Sequence, residues 1–94
     1  MKIKVRTLHD GDLILEEIEA SPVKGFENIA IAKSDRHPKG WKSFDTLTGL
    51  YIGWARTKKE CIDWLEVHRL KIEEARKTEL YQRRVKEFEE FKKV

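Results

Sequence analysis

Along residues 2–8 apolar and charged side chains alternate, with Ile3 and Val5 set against Lys2, Lys4 and Arg6. A period of two marks a strand with one buried face. Asp10-Gly11 follows, a dipeptide that supplies the positive φ values of a tight hairpin turn, and Leu13 to Glu19 returns as a second strand. Ser21-Pro22 and Lys24-Gly25 punctuate the chain. Phe26 to Lys33 reads as a third strand, with Ile29 and Ile31 on one face and the small Ala30 and Ala32 on the other. A polar loop over 34–40 precedes a fourth strand, Trp41 to Thr46. Thr48-Gly49 turns the chain into a fifth, Leu50 to Ala55, with Leu50, Ile52 and Trp54 on one face.

No Gly or Pro occurs after Gly53, and Thr57 to Val94 reads as one long, charged helix. At about 1.5 Å per residue it would be on the order of 50 Å long and would overrun a small sheet. Thr57-Lys58-Lys59-Glu60 is a capping box at its start. Cys61, Ile62, Leu65, Val67, His68 and Ile72 supply a face to cover the sheet. Glu73–Lys77, Glu79–Arg83 and Glu89–Lys93 are i,i+4 pairs in the favourable orientation, each worth about 0.3–0.5 kcal/mol. Tyr81, Val85 and Phe88 make a short apolar stripe flanked by Leu80 and Phe91. Three fates are open to it: folding back onto the sheet after a break near Lys77-Thr78, a homodimer seam through the C-terminal helix, or a partner-binding face of the helix-in-groove kind.

The pattern predicts an α+β fold, a small antiparallel sheet of about five strands packed on a long C-terminal helix. Residues 1–76 form the α+β domain and 77–94 a helical extension. The expected core is Ile3, Val5, Leu15, Ile29, Ile31, Ile52, Trp54, Ile62, Leu65 and Ile72.

Charge changes this picture little. Charged residues are 39% of the chain but the net charge is only +3. Residues 1–65 carry 11 basic and 10 acidic side chains and residues 66–94 carry 9 and 7, so neither half is a strong polyanion binder by charge alone. The single cysteine, Cys61, excludes an intrachain disulfide and suits a reducing, cytoplasmic compartment. No apolar run approaches the roughly 18–20 residues that span a bilayer, and Met1 to Val5 has no signal-peptide character, so no membrane partner is expected.

Catalytic chemistry is not evident. His9, His37 and His68 stand at no metal-ligand spacing. His9-Asp10-Gly11-Asp12 is explained by the hairpin turn. Cys61 occupies a sheet-facing position, which fits a buried structural thiol better than a nucleophile. No phosphate-cradling glycine loop or serine elbow is present. The expectation is a protein that is not an enzyme and holds neither cofactor nor metal. The other constellation is basic and aromatic: Lys33, Arg36, Lys39 and Lys42, with His37, surround Trp41, and Arg56, Lys58 and Lys59 adjoin the helix start. Cations in a first helical turn oppose the helix dipole, which an anion contact would explain and so would plain solubility. Basic side chains beside aromatics serve nucleic-acid backbones and bases.

Residues 36–64 carry Gly40-Trp41, Phe44-Asp45, Thr48-Gly49, Ile52-Gly53-Trp54 and Thr57-x-x-Glu60-Cys61. This stretch resembles the AP2/ERF type of DNA-binding domain, in which a three-stranded sheet packed on one helix lies in the major groove. The resemblance covers under a third of the chain. It implies a β-β-β-α topology, with Trp41 and Lys42 as the equivalent contacts. Leu50 and Tyr51 stand where that family has basic residues. The same segment is similar to small uncharacterised accessory proteins of Gram-positive phages and mobile elements, which implies an accessory role aimed at a host defence system.

The leading functional expectation is a non-catalytic binding protein that docks on a protein or nucleoprotein target, as an inhibitor or adaptor, through Tyr81, Val85, Phe88 and Phe91. The alternative is a duplex DNA-binding module using the sheet face and the 33–42 loop, with Lys33, Arg36, Lys39, Trp41, Lys42, Arg56, Lys58 and Lys59 as its contacts.

Overall fold

The computed structural model describes residues 1–34 and 39–93. Strands β1 (Lys2–His9) and β2 (Asp12–Glu19) pair antiparallel, with Asp10 and Gly11 both at positive φ (48° and 87°) in the turn. That is the backbone the Asp-Gly dipeptide was expected to adopt. A second antiparallel sheet follows, ordered β3-β4-β5-β6, from β3 (Ser21–Pro22), β4 (Ile29–Ser34), β5 (Gly40–Asp45) and β6 (Tyr51–Ala55).

The expected single sheet is therefore two. The reason lies in β4, where both faces are apolar and all four residues from Ile29 to Ala32 are buried. A strand buried on both sides needs a layer on each. On one side Ile29 and Ile31 pack with Val23, Ala55, Cys61 and Leu65 beneath helix α1 (Lys58–Val67). On the other side Ala30 and Ala32 are small enough to admit the β1–β2 hairpin, whose Val5 and Ala20 close a second core with Phe44. Of the expected core, Val5, Ile29, Ile31 and Leu65 are fully buried and the others half-buried; Val67, expected on the covering face, is 81% exposed.

A register shift between Ser43 and Phe44 sets Gly53 opposite Ser43 and Tyr51 opposite Phe44, leaving Ile52 as the extra residue of a bulge. Ile52 thereby turns to the helix-side core, while Trp54 faces a groove beside the hairpin. The expected common face for Ile52 and Trp54 is lost to that one residue.

The single long helix is also corrected. It is divided into α1, α2 (Arg69–Arg76) and α3 (Glu79–Lys92), and the longest dimension of the molecule is 34 Å. The first break is a kink at His68 (φ −101°, ψ 12°), whose ring stacks on Trp64 at 4.0 Å. The second is a reversal. Thr78 takes extended backbone, its hydroxyl donates to the Ala75 carbonyl (2.7 Å) and accepts from the Tyr81 amide (3.2 Å), capping α3. Both sides of this break converge on one carboxylate: Arg76 Nη2 lies 3.0 Å and the Tyr81 hydroxyl 2.9 Å from Asp45 Oδ2. In a continuous helix two residues five apart point about 140° away from each other around the axis, so both reach Asp45 only if the helix stops between them.

Candidate functional site

The residues expected at a docking stripe lie on α3, and α3 packs inward. Phe88 is 1% exposed. Its ring sits beneath the Arg6 guanidinium (5.3 Å to the centroid) and Lys92 (4.7 Å), against Gly49, where an added Cβ would come within 2.5 Å of the ring. Val85 and Phe91 are half-buried, and Tyr81 is committed to Asp45. Arg6 ties the layers together: Nε donates to the Thr48 carbonyl (2.8 Å), Nη2 to the Arg84 carbonyl (3.3 Å), and Nη1 lies 3.9 Å from Glu87. Burial pulls its pKa down, opposed by Glu87. Phe88 on the apolar side of α3 is thus covered by β1 and the β5–β6 turn, and the exposed positions of the helix are charged apart from Leu80 and Gln82.

Burial, and then the Asp45 carboxylate, push the Tyr81 phenol up to about 12. The folded state holds the neutral phenol, so its contribution to stability is complete below the ordinary tyrosine value of about 10 and is lost as pH rises from there towards about 12. Alkaline unfolding followed by tryptophan fluorescence is expected to show this added slope, and Tyr81→Phe to flatten it. An identical profile in the variant would mean the hydroxyl is solvated.

The basic and aromatic residues are redistributed. Lys33, Lys39, Trp41 and Arg56 line one cavity of about 390 Å³ at the end of the four-stranded sheet. Lys58 lies over the Trp41 ring at 5.7 Å, and Lys59 is exposed in the same first turn of α1. Thr57 caps that helix, its hydroxyl accepting from the Glu60 amide at 3.1 Å. Glu60 reaches Arg56 at 3.6 Å, an exposed pair worth little in water. Strands β4, β5 and β6 thus gather residues more than twenty positions apart onto one rim. Lys42 is not part of it. It alternates with Trp41 along β5 and lines the opposite face, beside the hairpin. Arg36, with His37, lies outside the described residues.

That opposite face is the sheet surface expected to lie in a major groove. Over Ala30, Ala32 and Phe44 it is covered by the β1–β2 hairpin. Its uncovered part is a groove of about 590 Å³ between the hairpin and β6, lined by Leu8, Leu13, Lys42, Leu50, Tyr51 and Trp54 among others. This groove was missed in the sequence reading. The only signal for it was apolar character at the hairpin tip, where Leu8 and Leu13 flank the turn without a helix or strand assigned to cover them.

Cys61 is 2% exposed, and burial pushes its thiol upward, against a weaker opposing bond with Ser43. A thiol so placed is a packing group. Among the described residues no three His, Cys, Asp or Glu side chains gather in a way that would hold a metal ion. None of the helices among those residues is long and apolar enough to cross a membrane. Compared with known proteins, the chain matches no family model, no curated protein and no solved structure.

Proposed function

We propose that this protein is a non-catalytic nucleic-acid-binding module that grips a duplex by its phosphate backbone, using the basic end of the four-stranded sheet. The observation that carries this reading is the convergence of Lys33, Lys39 and Arg56 around Trp41, with Lys58 stacked on the same ring. Lys59 extends the rim, and Glu60 is the one carboxylate paired within it among the described residues. Neutralising phosphates releases condensed counterions, so binding of this kind is strongly salt-dependent and indifferent to sequence. The hairpin on the sheet face favours contact at the rim and the helix start over insertion of the whole sheet into a groove.

Fluorescence anisotropy with a labelled duplex at low and near-physiological salt tests the reading. Binding should weaken steeply with salt. Lys39→Ala and Arg56→Ala should each lower affinity for all sequences and reduce the salt slope by about one unit. Lys42→Ala, on the other face, should leave the slope unchanged. Absence of binding at low salt ends the proposal, and a loss confined to Lys42→Ala would relocate the site to the sheet face.

A further inference from the structure

The bulge at Ile52 decides where two aromatic rings point. Tyr51 pairs with Phe44 and Trp54 with Lys42. Phe44 and Lys42 stand two apart on β5, so all four side chains share one sheet face. In a regular strand Tyr51 and Trp54, three apart, would take opposite faces; the extra residue puts both on the same one. Both line the groove of about 590 Å³ beside the hairpin. Tyr51 is 53% exposed, its ring set edge-on to Phe44 at 6.2 Å between centroids and 74° between planes. Leu8 and Leu13 line the same groove from the hairpin. Exposed apolar side chains grouped in this way mark an interaction surface far more often than scattered ones do.

Continuity with the basic rim chooses the occupant. Gly40 lines the rim cavity together with Lys33, Lys39 and Arg56. It also abuts the Trp54 indole, where an added Cβ would come within 2.6 Å of Nε1. Gly40 thus brings no side chain between the ring and the rim. The groove's own charge is slight. Arg6 is occupied by Thr48, Arg84 and Glu87, and Lys42 has Glu16 near it in the adjoining cleft. Attraction for a polyanion therefore comes from the rim, and the groove contributes ring faces. Unpaired nucleotides use both, because their phosphates take cations and their bases stack on aromatic side chains. A base inside a duplex has its faces covered by its neighbours and cannot use the rings.

We propose that the groove takes unpaired bases of a nucleic acid whose phosphates are held at the rim, stacked against Tyr51 and Trp54, so that the protein prefers a duplex carrying a single-stranded tail to a blunt one. The inference rests on the rim as the phosphate-binding surface and adds the recognition of unpaired bases to it. Every base has a π-face, so this preference is for bases as such and tolerates any sequence.

The test is fluorescence anisotropy of the full chain with a labelled duplex, either blunt or extended at one end by an oligothymidylate, an oligouridylate or an abasic tail of equal length and charge. Either base-carrying tail should tighten binding by about tenfold or more over the abasic one. Tyr51→Ala, at an exposed position, should remove most of that gain and leave affinity for the blunt duplex and its salt slope unchanged. Tyr51→Phe keeps the ring and should keep the gain. Lys39→Ala should weaken every probe alike. An abasic tail that binds as tightly as the others, or a gain indifferent to Tyr51→Ala, overturns the proposal and leaves the duplex reading standing. Tail binding without affinity for the blunt duplex would support the groove and end the duplex reading instead. No binding of any probe at low salt overturns both. A doubled mass in the absence of nucleic acid, lost in Tyr51→Ala, would assign the groove to a second copy and overturn the proposal. Competition by short peptides of alternating Glu and Tyr as effective as by oligothymidylate would assign it to a protein segment, with the same result.

Discussion

Asp45→Ala is expected to cost about 3–5 kcal/mol, a large share of the roughly 5–15 kcal/mol that holds a small domain together. Asp45 is 6% exposed and its two oxygens do different work. Oδ1 accepts from the amides of Leu47 (2.8 Å) and Thr48 (3.1 Å), shaping the β5–β6 turn. Oδ2 accepts from Arg76 and from the Tyr81 hydroxyl, anchoring the end of α2 and the start of α3. Removing the carboxylate leaves a half-buried guanidinium short of its counter-charge and two amides and a phenol without acceptors. Arg76 keeps the carbonyls of Glu27 (2.6 Å) and Asn28 (3.1 Å), which places the loss within that range and not above it. Asp45→Asn retains an acceptor for the turn amides and surrenders the charge, so it should fall between wild type and the alanine variant. Urea unfolding followed by tryptophan fluorescence measures all three. A change below about 1 kcal/mol in Asp45→Ala would mean that the reversal at Thr78 is held by its cap alone.

The second large effect is expected at Phe88. Truncation of a buried phenylalanine to alanine costs about 3–5 kcal/mol, the transfer term plus the cavity left behind. Here the cavity would lie between Gly49, Arg6 and the ammonium of Lys92. Arg6 cannot collapse into it, because its guanidinium is pinned to the Thr48 and Arg84 carbonyls. Poor collapse puts the cost towards the upper end of the range. Phe88→Ala should therefore shift the unfolding midpoint strongly while keeping a single cooperative transition, and Phe88→Leu should cost much less. If Phe88→Ala were to change stability by less than about 0.5 kcal/mol, the value typical of surface positions, the apolar side of α3 would be a free surface and docking through Tyr81, Val85, Phe88 and Phe91 would regain its footing.

Much of the local structure was legible because it rests on short-range chemistry. The Asp-Gly turn, the alternation of β1 and the Thr57 cap each depend on residues within four positions of one another. Alternation along β4 showed two apolar faces, with alanines on one of them, but not that the first hairpin would fill the alanine side. The Ile52 bulge escaped because one extra residue reverses the side-chain alternation without changing composition. The rim of Lys33, Lys39 and Arg56 was partly visible as a cluster in the sequence around Trp41. Its separation from Lys42 was not, because that depends on which face each position takes in the finished sheet.

The chain alone thus determined the main element types: an opening hairpin, three further strands, expected over 26–33, 41–46 and 50–55 and found over Ile29–Ser34, Gly40–Asp45 and Tyr51–Ala55, and helix from Thr57 onwards. These follow from side-chain period, turn dihedrals and capping, all of which act over a few residues. Tertiary structure decided where the helix ends and what its far half does. Nothing in the i,i+4 spacing of charges over 73–93 forbids a straight helix, but the short-range ion pairs that form from Glu66 onwards among the described residues are Arg69–Glu66 and Arg84–Glu87, at i,i+3, and not the three expected at i,i+4. The choice is made by Asp45, which is remote in sequence and can satisfy Arg76 and Tyr81 together only if the chain reverses, and by the apolar area of Phe88, which leaves water only when α3 lies against Gly49 and Arg6. Long-range burial and a shared buried charge outweigh local helix propensity of a few tenths of a kcal/mol per residue, and so the same reversal that hides the α3 stripe leaves the sheet's basic end and the groove beside β6 as the open surfaces.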